Sequence, residues 1–341
     1  MSADPNDTAG AQNRGERLIV IANPRAGGGR AGGARDAIRR AADRAFAQVE
    51  VRWTEGPGHA SELASKAAGE ADIVAALGGD GTCSEVVNGL LPGGTSVNPK
   101  IVFGTIPFGT GGDLVRTLQV RRSLEQALWT LATGITLPVD VGLFSWDDGR
   151  RRVFINVAGI GANADVSRRA NASSKRWGGF LTFLGAVFGA IRHFEAVPVK
   201  WSWDGPDGPG AMKLDTFAAF CANGHYCGGG MWVGNGGSIA DGVFELTLIP
   251  RPTLPLVVRV LPRAYDGKLR ERPEVHSFRV STVRVDAPVV LEADGEPVGT
   301  GPVRLSVLPR ALQVRGGWLQ PPRGPASSAG ATATARVLGD R

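Results

Sequence analysis

Residues Leu77-Gly78-Gly79-Asp80-Gly81-Thr82-Cys83-Ser84-Glu85 carry the strongest chemical signal in the chain. Their glycines let the backbone approach a ligand closely and take up positive φ. A glycine turn that feeds a helix offers free N–H groups and the positive end of the helix dipole, which suit phosphate. Asp80 inside that turn does not bind phosphate directly; a carboxylate there suits Mg²⁺ recruitment or proton handling. The plain alternative is a tight strand-to-helix turn with an acidic tip. A second glycine loop follows an apolar run at Asn23-Pro24-Arg25-Ala26-Gly27-Gly28-Gly29-Arg30-Ala31-Gly32. It satisfies G-x-G-x-x-G, and Glu50 ends the next β-like segment, so a dinucleotide site is a competing reading. Against it, Asn23 to Ala26 separate the glycines from the strand, and the loop at 78–81 would be left without a role. A third loop, Pro107-Phe108-Gly109-Thr110-Gly111-Gly112-Asp113, brings a hydroxyl and a carboxylate to the same kind of position. The Walker A pattern is absent, so a nucleotide here is held without a P-loop lysine.

Further along, Glu292-Ala293-Asp294-Gly295-Glu296 lies between two β-like segments. Asp-Gly is first a hairpin turn; the chemical reading is a general base for a substrate hydroxyl. Asp241-Gly242 reads either as a turn or as a metal site using Asp241 and nearby carbonyls. His59, His193, His225 and His276 show no metal-ligand pairing; His59 opens a helix, as a cap or a ligand contact. Residues 177–194 form an apolar stretch flanked by Arg168, Arg169, Lys175, Arg176 and Arg192. It reads as a helix packed on the second domain, or as an apolar lipid-entry surface with a basic rim.

These residues need a scaffold of strands and helices in alternation. Segments 18–22, 48–53, 72–77 and 101–106 read as strands, and 33–46, 58–68, 82–91 and 121–133 as helices. Thr82 and Glu85 have capping-box spacing, which places the start of the third helix at Thr82. Alternation of this kind predicts a doubly wound parallel α/β domain over 17–137. The pattern then changes to β-like segments at 138–145, 152–158, 197–203, 214–223, 243–249, 277–285, 288–293 and 302–315. These predict an antiparallel β-sandwich domain over 138–319, interrupted by one helix near 178–194. Residues 1–16 and 320–341 read as disordered ends.

Composition sets the bounds. The 341 residues are 43% hydrophobic and 21% charged, which suits a two-domain globular protein. Cys83, Cys221 and Cys227 are odd in number and without zinc spacing, which fits a reducing compartment. The N-terminus lacks a signal-peptide core, and no apolar run is long enough for a membrane span. A net charge of +6 favours anionic partners such as nucleotides or lipid surfaces. The basic residues are dispersed with few aromatics between them, which argues against nucleic acid.

Taken in order, the motifs form a set: Asn23-Pro24, Thr54 with Gly58-His59-Ala60, Gly78 to Thr82, Pro107-x-Gly109-Thr110-x-x-Asp113 and Val139-Asp140-x-Gly142. The set continues with Asn156-x-x-Gly159-x-Gly161, Gly228-Gly229-Gly230-Met231, Asp241-Gly242 and Asp294-Gly295-Glu296. Over residues 17–315 the chain resembles the diacylglycerol kinase catalytic-domain family, which includes bacterial lipid kinases, sphingosine kinases and ceramide kinases. The resemblance implies ATP-dependent phosphorylation of a lipid hydroxyl in a cleft between the two domains. Diacylglycerol is the leading acceptor, with a sphingoid base or ceramide as alternatives. It puts nucleotide contacts on Asn23, Pro24, Arg25, Ala26, Gly27, Thr54, Gly78, Gly79, Asp80, Gly81, Thr82, Cys83, Ser84 and Thr110. It implies an acidic network of Asp80, Asp113 and Asp140 with Mg²⁺ nearby, and Glu296, supported by Asp294, as proton acceptor. A structural metal would use Asp241 with the carbonyls of Ser238 and Val243. The implied setting is cytoplasmic, peripheral to the inner face of the membrane, with the oligomeric state open. Two departures stand out: Gly112 replaces the usual Asn before the loop aspartate, and Ala240 leaves Asp241 as the one acid before Gly242. The rivals are an NAD kinase-like enzyme, which shares Gly-Gly-Asp-Gly-Thr, and a non-catalytic lipid or nucleotide sensor.

Overall fold

A computed structural model of the chain describes residues 15–109, 112–162, 196–234, 238–251 and 265–317. The first half contains β1 (Arg17–Ala22), β2 (Gln48–Trp53), β3 (Ile73–Gly78) and β4 (Val102–Pro107). Its helices are α1 (Arg30–Gly33), α2 (Arg35–Ala45), α3 (His59–Ala67), α4 (Asp80–Leu90), α5 (Asp113–Thr117) and α6 (Leu124–Thr133). β3 and β4 are buried along their whole length, and β1 from Leu18 onward. Continuous apolar runs of this kind are what a parallel sheet covered on both faces requires. The parallel order is β2-β1-β3-β4. The strand and helix expectations for this half hold, with boundaries shifted by a few residues.

The second half contains β5 (Ile135–Ser145), β6 (Arg151–Phe154), β7 (Val157–Gly161), β8 (Val197–Asp204), β9 (Gly210–Ala222), β10 (Tyr226–Cys227) and β11 (Met231–Trp232). It continues with β12 (Phe244–Pro250), β13 (His276–Val280), β14 (Thr282–Asp286), β15 (Val290–Ala293), β16 (Glu296–Thr300) and β17 (Val303–Gly316). Neighbouring strands here pair antiparallel around a core of Phe144, Phe154, Trp201 and Phe244. The fold is thus a doubly wound α/β half followed by an antiparallel β-sandwich half. The expected single strand at 277–285 is two, β13 and β14, which part at Ser281, whose N–H donates to the Asp204 carbonyl. The expected strand at 152–158 divides at Ile155-Asn156 in the same way, because both N–H groups there donate to the Asp294 carboxylate. Glu16 lies within the ordered fold, paired with the buried Arg315 at 2.6 and 3.0 Å. The helix expected near 178–194 and the tail at 320–341 lie outside the described residues.

Two strands run through both halves. β17 pairs with β14 in the sandwich and with β5 along most of its length, then lies parallel to β4 at Gln313 and Val314. Its early residues Val303 and Leu305 enter the sandwich core, and its late residues Leu312 and Val314 enter the α/β core. Between them the register shifts from Leu308 to Leu312, and Arg310 takes φ 51°. Asp140 holds this bulge: fully buried, it accepts the Arg310 N–H at 2.8 Å and the Gly242 N–H at 2.6 Å.

The helix that carries the glycine–aspartate turn is set by close contact with its neighbour. A Cβ on Gly89 of α4 would lie 2.1 Å from the Ser61 carbonyl oxygen of α3 and 2.9 Å from the Ala64 Cβ. Gly89→Ala is therefore expected to cost about 1–3 kcal/mol by overpacking, read as a lower urea midpoint with an unchanged slope.

Candidate active site

The chain steps from β1 out to β2 and then returns past β1 to β3. The crevice between the carboxyl ends of β1 and β3 is thus the switch point at which open α/β sheets take ligands. Asn23 ties its two loops together. The Asn23 N–H donates to the Leu77 carbonyl at 3.0 Å, its Nδ2 donates to Thr82 Oγ1 at 3.3 Å, and its Oδ1 accepts the Arg25 N–H at 2.9 Å. Gly27, Gly28 and Gly29 follow with φ of 63°, 72° and 88°, a left-handed run that L side chains resist. The Thr54 N–H donates to the Ala22 carbonyl and brings the end of β2 to the same edge.

The helix start differs from the expected capping box. α4 begins at Asp80 with Gly79 as N-cap and no side-chain cap. Thr82 Oγ1 faces Asn23, and Glu85 reaches sideways to accept the Ala60 N–H of α3 at 3.2 Å. Both side chains are spent on contacts between segments, which local spacing does not encode. The first turn of α4 is left without a side-chain partner, facing the crevice.

A cleft of about 190 Å³ opens there, lined by Asn23, Pro24, Arg25, Thr54, Gly81 and Thr82, with Glu85 on the same wall. Glu296 closes it from the sandwich half. Its Oε1 lies 2.8 Å from where a Cβ on Gly81 would sit, so the carboxylate rests directly against the Gly81 backbone. Partial burial of the Glu296 carboxyl, and then the nearby Glu85 charge, raise its pKa, while Arg152 opposes them. Glu296 is delivered by the β15–β16 hairpin, whose turn residues Asp294 and Gly295 have φ of 51° and 91°. Positive φ at both is the mark of a type I′ turn. The Asp294 carboxylate accepts the N–H groups of Ile155, Asn156 and Val157 at 3.1, 2.8 and 3.1 Å and so locks the hairpin onto the β6–β7 connection.

The other acids serve the backbone. Asp80 accepts the Asp113 and Leu114 N–H groups at 3.1 and 3.2 Å, and so caps α5 from the start of α4. Asp113 accepts the Gly229 N–H at 2.7 Å and pairs with Arg116 at 2.9 Å; burial raises its pKa. Asp140 is enclosed away from any ligand, as described above, so it does not join the cleft. Ser84 and Cys83 are buried on the core side of α4, where Cys83 Sγ meets Thr105 Oγ1; their side chains point away from the cleft. Ala26 is buried as well. Gly112, at φ 143°, leads into α5, while Thr110 lies outside the described residues. Glu50 lies in the middle of β2 and is gripped by Arg52 and Arg17, so it is not free to take a dinucleotide ribose. His59 Nδ1 accepts the Glu55 N–H and so stays at the mouth of α3.

Metal ligands are not assembled. No group of three His, Cys, Asp or Glu side chains that could hold an ion exists among the described residues. At the second expected position, Asp241 Oδ1 accepts the Val243 N–H and Oδ2 pairs with Arg279 at 3.1 Å. The residues there do not fit a divalent ion, because a guanidinium already holds the carboxylate. Sequence reasoning missed Arg152 and the sideways reach of Glu85. It also missed Asn88, whose amide closes a two-way bond with Val153 of β6 at 3.0 and 3.1 Å. A helical Asn or a strand Arg has no local signature for such a role.

Comparison with known proteins agrees with this architecture. The diacylglycerol kinase catalytic domain matches residues 17–144, and the YegS C-terminal NAD kinase beta sandwich-like domain matches residues 156–316. A diacylglycerol kinase of Mycobacterium tuberculosis (strain CDC 1551 / Oshkosh) is 29% identical over 313 residues, covering 90% of this chain and 98% of the relative. A diacylglycerol kinase of Bacillus subtilis (strain 168) is 28% identical over 277 residues, covering 78% and 85%. A crystal structure of a diacylglycerol kinase from Bacillus anthracis shares the fold with a TM-score of 0.65 at 20% identity, covering 88% of this chain and 97% of that one. The chain belongs to the diacylglycerol kinase catalytic-domain family and is a lipid kinase.

Burial raises the Asp294 pKa to about 6, although its three N–H bonds pull the other way. In the unfolded chain the group titrates near about 3.9. Between those values the native state holds a proton that the unfolded state has lost. Stability from this group is therefore full below about pH 4 and falls as pH rises to about 6, by up to about 3 kcal/mol. Urea unfolding of wild type and Asp294→Asn should show the wild type losing ground to the variant over that range. A constant difference would mean that Asp294 titrates as an ordinary carboxylate.

Proposed function

We propose that this lipid kinase transfers the γ-phosphate of ATP to the hydroxyl of a membrane lipid, with diacylglycerol as the acceptor. The observation that carries the reading is the Glu296 carboxylate set against Gly81, at the uncapped start of α4 and across from the Asn23 loop. In the proposed mechanism, the N–H groups of the glycine turn at 78–82 and of the loop at 23–27 take the ATP phosphates. Thr54 and Asn23 hold the two loops in register, and Thr110 joins them from the third. Glu296 accepts the proton of the lipid hydroxyl as its oxygen attacks the γ-phosphorus and the ADP oxygen departs. Asp294 keeps the hairpin, and hence Glu296, in position. Asp80 and Asp113 fix the α5 loop against the cleft.

Mg²⁺ is proposed to arrive with ATP as part of the substrate, where it neutralises charge on the transferring group. This agrees with the lack of a protein cage for it among the described residues. Residues 17–137 would bind the nucleotide, and 138–319 the lipid. No helix among the described residues is long and apolar enough to cross a membrane. The lipid is therefore proposed to be reached by peripheral contact at the inner membrane face, with the apolar, basic-rimmed sequence at 177–194 as the contact surface.

The test is transfer of labelled γ-phosphate from ATP to a panel of diacylglycerol, ceramide, sphingoid base and NAD in mixed micelles. Glu296→Gln and Asp80→Asn are each expected to cut turnover by about 10²-fold or more while the protein stays folded. Near-normal turnover in both variants overturns the mechanism. Nucleotide binding with no labelled product would move the chain to the sensor reading.

The pH dependence has a definite sign. Glu296 must be ionised to take a proton, and its pKa lies above the ordinary glutamate value. Turnover is expected to fall as pH drops through that raised pKa, and Glu85→Gln, which removes the like charge, should move the fall to lower pH.

A further inference from the structure

The turn at Asp241-Gly242 holds four charged side chains that the proposed phosphotransfer does not use. Asp241 Oδ2 meets Arg279 Nη2 at 3.1 Å, Arg279 Nε lies 3.6 Å from Glu245 Oε1, and Glu245 Oε2 meets Arg270 Nη2 at 2.6 Å. Glu245 and Arg279 are direct partners across β12 and β13, so the sheet register itself sets the contact. The Glu245 side chain is 8% exposed and that of Asp241 27%, while Arg279, 43% exposed, reaches both from the surface. Two carboxylates face two guanidiniums, and the cluster is neutral. The second Asp241 oxygen is taken by the Val243 N–H at 3.3 Å. The next residue, Gly242, is stitched by its N–H to Asp140, the acid that also holds the β17 bulge.

This is the position at which the family resemblance implies a structural divalent ion. Here the chain lacks the second acid, having Ala240 instead, and carries a guanidinium on the remaining one. A divalent ion at Asp241 would have to displace Arg279 and would leave the cluster with one excess positive charge beside the Arg270–Glu245 pair. We infer that Arg279 is a built-in counter-ion for Asp241 and Glu245 in place of a structural metal, so that the fold needs no divalent cation.

The inference is independent of which lipid is phosphorylated, and its test reads stability. Thermal melts of the full chain without nucleotide are recorded after EDTA treatment and dialysis, and again with excess Mg²⁺ or Ca²⁺. Elemental analysis of the untreated protein accompanies them. The expected result is one melting temperature in all conditions and no stoichiometric metal. Removing Arg279 leaves Asp241 without its cation and Glu245 with Arg270 alone, so Arg279→Met should melt about 2–4 °C lower, with Arg279→Lys in between. A wild-type melt that drops with EDTA and recovers with Mg²⁺ or Ca²⁺, or one metal ion per chain in the purified protein, overturns the inference. So does an Arg279→Met melt equal to that of wild type. If Arg279→Met does not fold, the wild-type melts and the metal content still decide it.

Discussion

The cleft exists because β5 and β17 belong to both halves of the molecule. A pair of strands that runs from one core into the other cannot hinge freely, so the sandwich and the α/β sheet are set relative to one another by main-chain hydrogen bonding. The change of direction between the two cores falls at the β17 bulge, and a bulge left unsupported would expose unpaired N–H groups in a buried place. Asp140 meets that need with two short bonds, one to Arg310 and one to Gly242. Everything in the cleft depends on this junction, since Glu296 and Gly81 come from opposite halves.

The same use of carboxylates recurs around the site. Asp80 caps α5 from a distance, Asp113 ties α5 to the Gly229 loop, and Asp294 gathers three N–H groups at the β6–β7 connection. Each takes a charge out of water and recovers the cost through several N–H bonds, which a buried carboxylate requires. Glu296 differs in kind. It lies open to the cleft with no backbone clamp of this sort among the described residues, next to the like charge of Glu85, and its raised proton affinity suits the proposed role. An acidic motif in this chain thus divides into residues that build the cleft and one that faces into it.

Much of the fold is legible in the chain. The buried runs Leu18–Ala22 and Ile73–Leu77, each followed by glycines and a helical pattern, leave little choice but a parallel sheet with loops at its carboxyl edge. The Asp-Gly at 294–295 reads as a turn and also as a chemical motif, and the turn geometry is what carries Glu296 to Gly81. Local spacing misleads where a side chain is spent on a distant partner. Thr82 and Glu85 have the spacing of a cap, yet Thr82 serves Asn23 and Glu85 serves Ala60. Asp140 and Asp80 look alike in sequence, both beside glycine-containing motifs, yet one is enclosed at the β17 bulge and the other caps α5.

By itself the sequence determined the order of elements, the glycine turns at the carboxyl edge and the family motifs, because these follow from periodicity and backbone preferences within a few residues. The tertiary structure alone decided which acids serve the backbone and which faces the cleft, that Arg279 pairs with Asp241, and that Glu296 meets Gly81. Those outcomes depend on contacts between residues far apart in the chain, set by strand register and burial, which no local pattern encodes.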